Sequence, residues 1–136
     1  MTILYLGLAL VVVALGYVRL APSDPARWHL RPEVSADRDF ASGAARLVEA
    51  GPDGLARFDA VARAAPRVTV LAGSVDEGMV TYVQRSKWLG FPDYITAQQE
   101  GDVLRILSRQ RFGSRDLGVN AARLDRWLAR MGEAGG

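Results

Sequence analysis

Residues 67–112 read RVTVLAGSVDEGMVTYVQRSKWLGFPDYITAQQEGDVLRILSRQRF, and the fold turns on them. β-Branched and aromatic residues fill four short runs: RVTVLAGSV at 67–75, MVTYVQRSK at 79–87, DYITAQQ at 93–99 and VLRILSRQRF at 103–112. Such residues suit the pleated, half-buried surface of a strand. Asp76-Glu77-Gly78 and Glu100-Gly101-Asp102 are turn signals inside each pair, and Trp88-Leu89-Gly90-Phe91-Pro92 breaks the pattern between the pairs. Two consecutive hairpins follow, and with them four strands in meander order.

Helical signals flank this stretch. Pro52 stands where a first-turn proline would, and Leu55, Phe58, Val61 and Ala62 recur at helical spacing before Pro66. Leu124, Trp127, Leu128 and Met131 form a second stripe, with Asn120 as its N-cap and Gly132 past its end. FASGAARLVEA at 40–50 admits a short helix or an irregular strand, and the closing Gly51-Pro52 favours the strand. The expected class is α+β: one N-terminal transmembrane helix, then a small antiparallel four- or five-stranded meander sheet with two helices on one face. The expected division is a transmembrane helix at 1–20, a Pro-rich linker at 21–39, an α+β domain at 40–132 and a disordered tail at 133–136.

ILYLGLALVVVALGYV at 3–18 carries no charge, and extended to Leu20 it reaches roughly the 20 residues that cross a bilayer. It is apolar on every face, unlike an interfacial amphipathic helix. A secretory signal would carry a basic region ahead of the apolar run, and only Met1 and Thr2 precede this one. The lipid bilayer is therefore the expected partner of residues 1–20, in the manner of a single-pass protein of a bacterial inner membrane. Arg19, Arg27 and Arg31 follow the segment, so the positive-inside rule places the soluble domain in the cytoplasm, with the periplasm as the alternative. APSDPARWHLRPEVSADRD at 21–39 holds three prolines and no period, which reads as an extended linker leading away from the bilayer.

Composition excludes several functions. The chain has no cysteine, so thiol nucleophiles, disulfides and Cys-based metal sites are out. His29 is the only histidine and has no partner at ligand spacing, so no metal site and no cofactor is expected. All but one of the 17 basic residues are Arg, the exception being Lys87, yet the net charge is only +2. That bias fits a GC-rich bacterial genome better than nucleic-acid binding, which is not expected. No catalytic triad or phosphate loop is present; Ser86, Ser108 and Ser114 lack the context of an activated nucleophile.

A run of short motifs remains: Tyr82-Val83 with Arg85-Ser86, Gly90-Phe91-Pro92-Asp93-Tyr94, Ser108-Arg109, and Gly113-Ser114-Arg115-Asp116-Leu117-Gly118-Val119-Asn120 followed by Arg123. In these the chain resembles the bacterial and plastid family known as domain of unknown function number 1499. Members of that family commonly carry a Phe-Pro/Val-Asp-Asp element and a Ser-Arg-x-Gly-x-Ser-Asp-Leu/Phe-Gly-Val-Asn-Arg run. The resemblance covers about residues 66–128. It departs at Arg115, which intervenes between Ser114 and Asp116 where the family often reads Ser-Asp-Leu-Gly, at Tyr94, where the family has a second Asp, which weakens a paired-carboxylate site, and at Ala121-Ala122, which separate Asn120 from Arg123. The resemblance implies a membrane-associated domain and assigns no activity.

Alternation along 103–112 puts Arg105, Arg109 and Arg111 on one face and Leu104, Ile106 and Phe112 on the other, the aliphatic face meeting the helices. Thr81, Arg85 and Lys87 share a face of the neighbouring strand. An open arginine-bearing surface of this kind suits an anion or a partner's carboxylates, because guanidinium presents a planar fork of donors. The expected binding residues are Arg85, Asp93, Arg109, Arg111, Arg115, Asp116, Asn120 and Arg123. No catalytic residue is assigned. The leading expectation is a non-enzymatic module that binds an envelope or cytoplasmic protein partner, or an anionic ligand, at the inner-membrane surface. The alternative is an enzyme with a polar site at Asp93, Arg109, Asp116 and Asn120. Trp88, Phe91, Tyr94 and Trp127 are expected in or at the edge of the core.

Overall fold

The computed structural model describes residues 1–135, with side chains through residue 132, so side chains of the expected tail at 133–136 lie outside the described residues. The chain runs α1 (Thr2–Leu20), α2 (Pro25–Trp28), β1 (Arg38–Phe40), β2 (Gly43–Glu49), α3 (Gly54–Ala64), β3 (Val68–Ser74), β4 (Met79–Arg85), β5 (Pro92–Glu100), β6 (Val103–Gln110) and α4 (Val119–Gly135). The fold is α+β, with an apolar N-terminal helix and an antiparallel sheet. The four strands from β3 to β6 form the expected meander.

The sheet has six strands, however, not four or five, in the order β1-β2-β6-β5-β4-β3. β2 lies against β6 along its whole length, from Gly43 opposite Arg109 to Glu49 opposite Val103, and β1 folds back on it. Its partner lies some 60 residues away in sequence, a long-range pairing that local pattern does not reveal. Gly43 is required there: a Cβ would stand 2.2 Å from the backbone oxygen of Ser108. Small Ala44, buried on the helix side, likewise lets the strand pass under α4.

α3 and α4 pack on one face of the sheet, as expected. Leu55 and Phe58 of α3 and Leu124 and Trp127 of α4 meet Val80, Tyr82, Ile95, Leu104 and Ile106 of the strands. The ring of Phe58 stands 5.8 Å from Trp127 and 6.0 Å from Tyr82, spacings typical of tilted aromatic pairs. The buried Tyr82 hydroxyl donates to Asp59 Oδ1 at 2.5 Å, and burial followed by that carboxylate pushes its pKa up. Arg46, buried on the same face, donates to Asp125 and Asp39, so α4 is tied to β1 and β2.

The other face of the sheet is where the structure departs most from expectation. Residues 21–39 do not lead away from the rest of the chain but lie back across it. Trp28 stacks on Tyr94 with ring centroids 4.0 Å apart and planes 10° from parallel, and Val83 and Leu71 complete this second cluster. α2 is a single turn opened by Pro25, with Asp24 capping it through the amide of Ala26. A sheet buried on both faces requires apolar side chains on both, which Val83, Tyr94 and Leu107 supply among the arginines.

Candidate functional site

The expected site residues separate onto the two faces of the sheet. Arg109 points to the face covered by residues 21–39, while Asp93, Asp116, Asn120 and Arg123 gather on the helix side. The period of two makes this unavoidable: Tyr94 and Arg109 are cross-strand partners on one face, and Asp93 and Ser108 lie on the other. The alternative enzymatic site at Asp93, Arg109, Asp116 and Asn120 is therefore not assembled.

On the helix side the motif residues form a closed polar network. Arg123 uses all three guanidinium nitrogens: Nη2 donates to Asp93 Oδ2 at 2.8 Å, Nη1 to Asn120 Oδ1 at 2.6 Å and to Ser108 Oγ at 3.2 Å, and Nε to Gln84 Oε1. Ser108 Oγ donates to Asn120 Oδ1 at 2.5 Å. The Asn120 amide group and backbone N–H both reach Asp116 Oδ2, and Asp116 Oδ1 accepts from Gly118 N–H at 2.8 Å. Asp116 thus satisfies the free N–H groups at the start of α4, a role expected of Asn120. Asn120 instead sits inside the first turn, fully buried, and Gly132 lies within α4 rather than past its end.

Burial holds the Asp93 carboxyl above the usual carboxylate range, with the hydrogen bond and charge of Arg123 pulling the other way. Folded chains then hold more protons at Asp93 than unfolded ones, from about pH 4 up to the raised value. Stability contributed by this group falls as pH rises through that window. Asp93→Asn, which keeps an acceptor for Arg123, should flatten the fall. Thermal unfolding of both chains across acidic pH checks this, and parallel profiles would contradict it.

On the opposite face, three arginines grip the returning segment by its carbonyls. Arg105 Nε donates to Val34 O at 3.0 Å, Arg109 Nη2 to Trp28 O at 2.9 Å and Arg111 Nη1 to Pro22 O at 2.9 Å. Arg111 also donates to the Tyr94 hydroxyl, which bonds Ser23 Oγ at 2.6 Å. His29 Nδ1 meets Thr81 Oγ1 at 2.8 Å, and Thr81 meets Thr96 at 2.8 Å, so a buried hydroxyl pair also supports the segment. The arginine face is accordingly not open to solvent. Arg85 is spent on the β4–β5 loop, donating to Gly90 O at 2.8 Å, and Arg115 is exposed on the β6–α4 loop.

Between the returning segment, β1 and β6 lies a cleft of about 810 Å3, within the range of small-molecule sites. Its walls include Trp28, Leu30, Phe40, Leu107, Arg38 and Arg109. The acids Glu33 and Asp37 also line it, and Asp37 is engaged by the amide of Leu47 at 2.8 Å. Arg109 stands out among these groups. Its Nε is buried without a hydrogen-bond partner, and among the described residues it makes no ion pair. Burial alone lowers its pKa, and its guanidinium stacks 5.0 Å from the Trp28 ring. No group of three or more acids and histidines able to hold a metal occurs among the described residues. Sequence reasoning missed Trp28 and Gln84; an isolated Trp-His pair in a proline-rich stretch was the available signal for the first.

These features define a class: a six-stranded α+β domain with helices on one face and its own post-helix segment on the other, carried behind an apolar helix long enough to cross a membrane. The chain belongs to the family described as Protein of unknown function (DUF1499), whose model matches residues 18–131. The match takes in the whole returning segment. No curated protein and no solved structure matches the chain.

Proposed function

We propose that the chain is a single-pass membrane protein, anchored by α1, whose domain binds an anionic ligand with an apolar portion in the cleft beneath residues 30–38. One observation carries this reading: Arg109, a half-buried cation with a buried, unpartnered Nε and, among the described residues, no ion pair, borders a cleft in which apolar walls alternate with polar ones. A guanidinium that is half-buried without a counter-charge is unfavourable, and an anion held beside it in the cleft would relieve it. Trp28, Leu30, Phe40 and Leu107 would accept the apolar part. Placement in the inner membrane of a bacterium, with the domain on the cytoplasmic side, fits Arg19, Arg27 and Arg31 after α1.

Hexyl phosphate, with hexanol as its uncharged counterpart, is a suitable probe of the full chain in nanodiscs, with empty nanodiscs subtracted. Arg109→Gln is expected to weaken hexyl phosphate by about 1.5–3 kcal/mol, roughly ten- to a hundredfold in Kd, because a charge-assisted hydrogen bond is lost. Calorimetric titration reads the change. Equal affinity of the two chains, or of the two probes, would exclude the reading.

A further inference from the structure

We infer that the loops β4–β5 (86–91) and β6–α4 (111–118) form a second membrane contact, with Trp88 and Leu117 seated in the headgroup–acyl boundary of the bilayer that α1 spans. The inference rests on the anchoring role of α1 proposed above. Three observations carry it.

The first is position. Nineteen helical residues at about 1.5 Å each give α1 a length close to the hydrocarbon thickness, so its last turn emerges at the interface. Both loops touch that last turn. Tyr17 packs edge-on against Phe112 at 6.2 Å, and Arg19 Nη2 donates to Trp88 O at 3.2 Å. Gly90, at φ +72°, lies directly beneath the Arg19 side chain, where a Cβ would come within 2.8 Å of Nε. The loops are thereby held at the level where α1 leaves the membrane.

The second is exposed apolar surface. Trp88 is 79% exposed and Leu117 91%, although both are large and apolar. Trp88 was expected at the core edge; the structure turns it outward. Leu117 is one of two non-glycine residues with positive φ among the described residues, at 55°, a strained conformation that Asp116 and the buried network behind it enforce. Val119 and Leu89, half-exposed, lie beside them. Tryptophan in particular favours the membrane–water interface.

The third is charge. Arg19, Lys87 and Arg115 are exposed on this edge, with Lys87 Nζ 5.1 Å from the Trp88 ring. The one acid in the two loops, Asp116, is turned inward to cap α4. A cationic, aromatic edge without exposed carboxylates matches an anionic lipid surface.

The test is quenching of tryptophan emission in the full chain, reconstituted into phosphatidylcholine–phosphatidylglycerol vesicles whose acyl chains are brominated near the headgroup. Trp28 and Trp127 are buried inside the domain, so Trp88 is the reporter, and Trp88→Phe, at an exposed position, identifies its share. Flotation of the vesicles after alkaline carbonate washing reports separately on α1. A chain that floats and shows a quenched component missing from Trp88→Phe is the expected result. A chain that floats with Trp88 unquenched would overturn the inference, leaving the edge to a protein partner and the anchor intact. A chain that does not float would overturn the anchor and this contact together.

Discussion

Arg123→Ala is expected to destabilise the domain by about 3–5 kcal/mol, the range for removing one partner of a buried ion pair. The side chain of Arg123 is 6% exposed and that of Asp93 17%, so water does not replace the lost contacts. Deletion leaves Asp93 without its cation and Gln84 Oε1 without its donor, and it removes one of the two donors to Asn120 Oδ1. The first two are acceptors left stranded, the costly side of the asymmetry in hydrogen bonding, while Asn120 Oδ1 keeps Ser108. For a domain near 100 residues such a loss removes a fifth or more of a total of about 5–15 kcal/mol. Arg123→Lys should recover only part, because one ammonium cannot reach Asp93, Gln84 and Asn120 in the planar geometry of the guanidinium. Urea unfolding of the full chain in micelles measures this, with exposed Glu49→Ala as the unaffected control. A loss under about 1 kcal/mol, the value for exposed pairs, would contradict a buried network.

Trp28→Ala is expected to lose about 3–5 kcal/mol, as for other buried aromatic truncations. Its consequences differ from those of Arg123→Ala because Trp28 belongs to the second cluster, away from Phe58 and Trp127. The stacked contact with Tyr94 and the guanidinium–ring contact with Arg109 vanish together. Residues 21–39 then lose their main anchor while the helix-side core persists, so the opening is local and precedes global unfolding. The cleft, which the same segment walls, should lose its affinity for hexyl phosphate in the same variant.

The local elements were legible in the sequence for identifiable reasons. Runs such as MVTYV and VLRIL carry enough β-branched and aliphatic side chains to name strands, and the stripes at Leu55-Phe58-Ala62 and Leu124-Trp127-Met131 name helices. What local pattern could not supply is pairing at a distance. GAARLVE has weak strand propensity and becomes β2 only because β6 offers a free edge. The return of 21–39 was hidden for the same reason, since its prolines and charges read as solvated. The signal lay on the far side of the contact: Val83, Tyr94 and Leu107 share a face with the arginines, and three such side chains ask for a cover. Of the candidate site, Arg109 was found but assigned to an open surface, because carbonyl partners such as Trp28 O leave no trace in sequence. The convergence of Asp93, Asp116, Asn120 and Arg123 was legible as a motif, and its internal satisfaction was not.

The central claim is that residues 21–39 form a fixed layer on the arginine face and thereby create the cleft. Hydrogen exchange of the full chain in nanodiscs tests it most directly, read at the amides of Arg27, Trp28 and His29, which bond Asp24 O and Pro25 O. A lone helical turn in a free linker gives these amides almost no protection. Protection well above the unstructured rate, removed by Trp28→Ala while β5 and β6 stay protected, is the expected result. Exchange of these amides at the unstructured rate in the wild-type chain would contradict the account.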